Sequence, residues 1–264
     1  MLSNKNTWGT LVPLLVLTFF LAGCPTNIEV PIRSRPMTLS GQVYAMVPDA
    51  KMEFDGNRQA SAIALLGQGI YDLGGEGGIY DGQLNFTIGR PLQAPTLWGI
   101  TTLFEGFDDI YRDFTIYPDN ARAAALLGLT TVGEGFSGWL ERINLEKDEN
   151  TSTLDEVNFI YVDRDVTITA RGMTQVFEYE YTVWRIMTVN LNINLESGWN
   201  VLHTSHTTTI TEIDDLVIGS ETVSLSATDP DWVKWTLQEI EDDTDELHSS
   251  LSRRLCLPVW KRHR

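Results

Sequence analysis

The chain of 264 residues carries 36 acidic against 19 basic side chains, a formal net charge of −17, and 42% of its residues are hydrophobic. A body this negative repels phosphate backbones and anionic lipid, which argues against nucleic acid as a partner and against a protein lying flat on an anionic bilayer. Its two cysteines, Cys24 and Cys256, make no disulfide framework, but the length suffices for the core of one large or two ordinary domains.

The amino-terminal segment holds Lys5, then an apolar run from Leu11 to Leu21 that is too short to span a bilayer as a mature helix. The run closes on Leu21-Ala22-Gly23-Cys24. A branched residue, two small residues and a cysteine at this distance from the start resemble the lipobox of bacterial lipoproteins. That resemblance implies a signal peptide over residues 1–23, recognised through Leu21, Ala22 and Gly23, and a lipid attachment site at Cys24. In that family the sulfur carries diacylglycerol and the freed amino group is acylated, commonly with palmitate. Several acyl chains anchor a protein stably where one would not. Enteric members of the family are retained at the inner membrane by an aspartate after the lipid site. Pro25 stands there instead, so the expected address is the cell envelope at the outer membrane. With Cys24 lipidated, Cys256 has no partner within the chain and reads as an inert thiol, with an intermolecular link as the alternative.

Residues 24–37 contain three prolines and no usable periodicity, the signature of an extended tether. From Thr38 the pattern is that of strands. Leu39, Val43 and Tyr44 open one that Pro48 ends, and Asp55-Gly56 marks a turn before a second strand over 59–66. A glycine-dense bend follows over 67–78. After Asp81-Gly82, Leu84, Phe86 and Ile88 alternate with Gln83, Asn85 and Thr87, the period of a sheet with one wet face. Trp98 to Phe104 reads as a strand, and 107–117 as a strand or one short helix. Pro118-Asp119-Asn120 reads as a turn, and alanine-rich 121–129 leans to strand.

The second half alternates more clearly. Val157 to Val162 suits a central strand, and Val166, Ile168 and Ala170 mark the next. From Phe177 to Leu195 odd positions are apolar, with Arg185 the break where a bulge or corner belongs, while Thr188, Asn190, Asn192 and Asn194 face water. Glu196-Ser197-Gly198 then predicts a hairpin returning through 199–211. Asp214-Asp215 predicts a turn, Val223 to Ala227 a strand, and Val233, Trp235 and Leu237 the last strand. Residues 239–246 place six acids in eight positions, a solvated linker, and 247–264 form a basic tail. The fold class expected is all-β, an antiparallel β-sandwich with one unit over 38–117 and another over 118–238, or one larger sandwich.

Ser40-Gly41-Gln42-Val43-Tyr44, the run Gly82 to Pro91, the run Ile160 to Ile168 and Leu195-Glu196-Ser197-Gly198-Trp199-Asn200 together resemble uncharacterised spirochaete-type envelope lipoproteins. The resemblance implies a β-rich envelope lipoprotein and supplies no activity.

Motifs that carry chemistry are sparse. Gly133-Glu134-Gly135-Phe136-Ser137-Gly138 fits G-x-G-x-x-G, with Asp155 and Glu156 near the distance of a ribose-binding acid. The stretch after it is too short for the packing helix, and no βαβ alternation surrounds it, so a glycine-rich hairpin is the expectation. His203 and His206 have metal-ligand spacing only on a helix; on a strand their rings diverge. Asp163 with Asp165, and Glu178 with Glu180, are candidate carboxylate pairs that also sit harmlessly on wet sheet faces. Acids around Asp49, Asp55, Asp72, Glu76 and Asp81 lack the order of a calcium loop. The tryptophans read mainly as core, although aromatics on a β platform also bind sugars or peptides. No catalytic, cofactor-binding or metal-binding residue is assigned. The expected function is a membrane-anchored binding or structural module with a protein or glycan ligand. A barrel-type carrier of a small ligand and a carboxylate-dependent glycosidase are the alternatives.

Overall fold

The computed structural model describes residues 36–240, apart from 48–49, 67–68, 90–95, 134–135, 180–181 and 214–215. The lipobox with Cys24, the tether as far as residue 35, Glu180, Asp214-Asp215, Cys256 and the basic tail lie outside the described residues.

Within them the chain is all-β. The first strands are β1 (Met37–Val47), β2 (Ala50–Glu53), β3 (Arg58–Leu66), β4 (Gly69–Gly74), β5 (Glu76–Tyr80) and β6 (Gln83–Ile88). Asp81 and Gly82 join β5 to β6 with φ of 48° and 73°, the left-handed pair a two-residue hairpin needs. A Cβ on Gly82 would lie 1.9 Å from the Phe54 carbonyl oxygen, so only glycine fits. The glycine-dense stretch expected as a bend is instead β4 and β5, its glycines letting neighbouring backbone approach closely. Trp98 to Phe104 is also not a single strand. It is β7 (Trp98–Gly99) followed by one helical turn, α1 (Ile100–Leu103), which drops Ile100 and Leu103 into a core.

The remaining strands are β8 (Tyr111–Tyr117), β9 (Arg122–Gly133), β10 (Phe136–Lys147), β11 (Thr151–Val162), β12 (Val166–Gly172), β13 (Thr174–Tyr179), β14 (Thr182–Thr188), β15 (Leu191–Leu195), β16 (Gly198–Ile213), β17 (Leu216–Ser226) and β18 (Trp235–Ile240). Glu239 and Ile240 thus belong to a strand rather than to an acidic linker.

Seven strands close on themselves in the order β10, β18, β1, β6, β5, β3, β9 and back to β10. All seven send apolar side chains into the ring: Leu39 and Val43, Ala62, Ile79, Leu84, Phe86 and Ile88, Leu126 and Leu129, Leu140, and Trp235 and Leu237. Val157, Phe159 and Val233 complete this core. The alternation over 83–88 holds, with Leu84, Phe86 and Ile88 inward; each contributes about 1.5–3 kcal/mol by leaving water. The parallel pairing of β1 with β18, Val43 opposite Trp235, carries the ring across the expected boundary at 117–118. The described residues fall in one compact unit.

A second core lies on the other side of β9 and β11. Ala123, Ile160 and Val162 face it from the large sheet, with Ala121 just ahead of β9. Val166, Ile168 and Ala170 of β12 and Leu191, Ile193 and Leu195 of β15 face it from a three-stranded sheet ordered β15-β12-β8. This half is sandwich-like. Burial on both faces explains why 157–162 reads as a near-continuous apolar run.

The predicted hairpin over 176–211 does not form. Its first arm divides into β13, β14 and β15, and β15 pairs with β12, whereas β16 pairs with β11 and β17. Residues 196–198 therefore make an arch from one sheet to the other. Leu195 and Leu202 face one core from opposite sides, which a side-by-side hairpin would forbid. Asn200 holds the arch, donating to the carbonyls of Glu196 (2.7 Å) and Gly198 (3.0 Å) and accepting from the Glu196 N–H (2.9 Å). Thr188 faces the interior rather than water; its Oγ1 donates to the Ile110 carbonyl at 2.8 Å.

Candidate functional site

Three places gather polar side chains. The first is the middle of β11, β16 and β17. On β16, His203 and His206 are three residues apart, so their rings leave opposite faces as expected of a strand. His203 Nε2 meets Asp155 Oδ1 at 2.9 Å; both are buried, and Trp232 lies edge-on to the imidazole at 5.8 Å between centroids. On the other face His206 Nε2 pairs with Glu221 Oε1, and the Glu221 residue is only 2% exposed. Glu156 lies on that face too, since it opposes Thr204, two residues from His206. Burial pushes its carboxyl above the usual range, and His206 nearby pulls it back. Each imidazole is held by its own carboxylate. Among the described residues no group of three or more His, Cys, Asp or Glu side chains is arranged to hold a metal ion.

The second place is an open cleft of about 310 Å³ bordered by Ser40, Gln42, Arg142, Asp229, Lys234 and Trp235. Arg142 organises it. Its guanidinium donates to the carbonyls of Pro230 (2.6 Å) and Val233 (3.0 and 3.1 Å), pairs with Asp229, and lies 5.9 Å from the Trp235 ring centroid. This is a staple for the loop that leads into β18. Sequence reasoning passed over Arg142, because nothing local distinguishes an arginine whose partners lie some ninety positions ahead.

The third is the outer face of the three-stranded sheet. Tyr117 on β8, Thr167 on β12 and Asn194 on β15 stand in one row; Thr115, Thr169 and Asn192 stand in the next. An open cleft of about 360 Å³ lies at the first row, lined by Tyr117, Pro118, Asp165, Thr167, Asn194 and Glu196.

The remaining sequence candidates serve structure. Asp163 Oδ1 accepts from the Arg122 N–H at 2.9 Å, and its carboxylate also binds Arg164; that ion pair holds the Arg164 guanidinium pKa above its ordinary value. Asp165 Oδ1 accepts from the Ser197 N–H at 2.8 Å, so these two acids cap neighbouring corners rather than facing each other across a substrate. Glu178 is exposed on the edge strand β13. Gly133 pairs with Phe136 in the β9–β10 hairpin, as the glycine-rich reading expects, with no crossover helix behind it. Asp72 on β4 ties its strand to β3, its Oδ1 accepting from the Ser61 hydroxyl (2.5 Å) and the Gly74 N–H (2.7 Å). Trp139 and Trp235 are core, Trp98, Trp184 and Trp199 half-buried, and Trp232 is 53% exposed. No protein-family model, curated protein or solved structure matches this chain.

Proposed function

We propose that the chain is a lipid-anchored protein of the cell envelope whose β body is a binding or structural module at the outer membrane. The observation that carries the module reading is the packed interior of the ring. A carrier needs a lumen, and the closure a carrier would use is present here. Its centre, however, is occupied by Phe86, Leu84, Leu129, Leu140 and Trp235 with their neighbours. Both clefts are open at the surface, the setting of a recognition face rather than of an enclosed site, and polar side chains border them beside apolar ones, Val233 and Trp235 in the first and Val166 and Leu195 in the second. The glycosidase alternative asks for two carboxyls facing each other across a cleft. Asp163 and Asp165, its best sequence candidates, accept from backbone N–H groups instead.

The anchor rests on Leu21-Ala22-Gly23-Cys24 and on the acidic composition, which suits a body held off the membrane by its lipidated end. Its test is Cys24→Ala expressed in a bacterium with lipoprotein processing. The wild-type chain partitions into the detergent phase and incorporates labelled palmitate; the variant stays in the aqueous phase, unlabelled. Equal partitioning of the two would remove the anchor.

A further inference from the structure

The outer face of the three-stranded sheet has a composition that a merely solvated face of so acidic a protein does not require. Its inward residues, Ile168, Ile193 and Leu195 among them, are fixed by the core. Alternation then forces Thr167, Thr169, Asn192 and Asn194 outward. With Thr115 and Tyr117 they form two rungs of three side chains, none charged and all able to hydrogen-bond. Strand rise sets the rungs about 7 Å apart.

These side chains are already ordered. Thr167 Oγ1 donates to Asn194 Oδ1 at 2.9 Å, which fixes the amide and leaves its N–H₂ to donate outward. The hydroxyls of Thr115 and Thr169 meet at 2.7 Å. Ordering before binding lowers the entropy a ligand must overcome. Tyr117 ends the first rung, 78% exposed, at the cleft of about 360 Å³ where Asp165 and Glu196 add carboxylate acceptors.

A flat aromatic ring beside amides, hydroxyls and a few carboxylates is complementary to a sugar. One face of a pyranose is a patch of C–H groups that stacks on an aromatic ring. Its rim of hydroxyls needs donors and acceptors side by side, which Thr and Asn supply together. An anionic ligand would meet Asp165 and Glu196 unfavourably, and an apolar one would strip water from six polar groups without replacing their bonds.

We infer that this face binds a neutral oligosaccharide. One sugar stacks on Tyr117 and bonds to Thr167, Asn194 and the cleft carboxylates, and the chain continues over Thr169 and Asn192. The inference deepens the binding-module reading and rests on it.

The test uses the full chain in a zwitterionic detergent free of sugar headgroups, applied to an array of neutral cello-, chito-, malto- and manno-oligosaccharides. Polylysine is a parallel probe. Saturable binding to at least one neutral series is expected, weakened at least tenfold in Tyr117→Ala and in Asn194→Ala and kept in Tyr117→Phe, which retains the ring. Tyr80→Ala, at another exposed tyrosine, binds as wild type. Unchanged thermal midpoints are expected in all four variants because the altered side chains are exposed; if that of Tyr117→Ala or Asn194→Ala falls, Thr167→Val, expected to weaken binding likewise, replaces it. No binding to any neutral series, or equal binding by Tyr117→Ala, overturns the inference. Polylysine binding that depends on Asp165 and Glu196 overturns the sugar and leaves the module reading standing. Loss of the anchor alone, read from Cys24→Ala, leaves this site untouched.

Discussion

At the scale of single residues, several polar groups inside the sheet are held by a partner, and one acid beside them works against the fold. Asp155, His203, His206 and Glu221 are paired within the sheet. Glu156 bears a carboxyl whose burial favours the neutral form, opposed by His206. Because its folded pKa is raised above the unfolded value, the folded state holds this proton where the unfolded state has released it. Stability is therefore greatest below the unfolded value and declines as pH rises through the window between the two values. Glu221 and His206 share that face, so the comparison must be made in one background. Glu156→Gln is expected to unfold at a higher temperature than wild type near neutral pH, with the difference vanishing at about pH 4. Thermal unfolding followed from about pH 4 to about pH 8 reads this, and a difference that does not vary with pH would refute it. None of these pairings was legible in the sequence. The spacing of His203 and His206 correctly predicts diverging rings, but it says nothing of Asp155 or Glu221, which arrive from other strands.

At the scale of elements, β9 carries most of the architecture. Ala121, just before it, and Ala123 within it face one core, while Leu126 and Leu129 face the other. The change of parity between Leu126 and Leu129 is made by an extra residue in the pairing with β3, where Ile63 opposes Gly128 and Ala64 opposes Leu126. At this bulge the Trp139 indole lies against Gly128; a Cβ there would come within 2.5 Å of the ring. Gly128→Ala is expected to displace Trp139 and cost about 1–3 kcal/mol in chemical denaturation, with a change in tryptophan fluorescence. The sequence places a strand over 121–129 despite its alanines, with Gly128 near its end. What it does not reveal is that the glycine marks a crossing of two cores. The arch at 196–198 was illegible for a related reason: a turn sequence says that the chain reverses, not whether the next strand lies beside the last or across from it.

At the scale of the whole molecule, two cores share a wall. Val157 and Phe159 of β11 belong to the ring, and Ile160 and Val162 of the same strand belong to the second core. Opening either core exposes the strand that the other needs, so the two should unfold together. Trp235 tests this from the far side of the ring. It stacks on Phe159 at 5.9 Å between centroids and donates from Nε1 to the Ser40 carbonyl at 3.1 Å. Trp235→Ala is expected to cost about 3–5 kcal/mol and to leave a single calorimetric transition. Two transitions would mean that the cores fold independently.

The sequence by itself determined what is local. The alternation at 83–88, 166–170 and 191–195 specifies which side chains turn inward, Asp81-Gly82 marks where a strand begins, and the apolar run 157–162 suits a central strand. The outer face of the second sheet was legible in the same way: Thr167, Thr169, Asn192 and Asn194 are what alternation leaves over. Only the tertiary structure decided which strands became neighbours. It paired β15 with β12 instead of β16, joined β1 to β18 to close the ring, and brought Tyr117 into line with Asn194. The physical reason is that side-chain direction along a strand follows from backbone geometry within a few residues. The partner across a ladder is chosen by which apolar faces can be covered at once, a property of the whole chain.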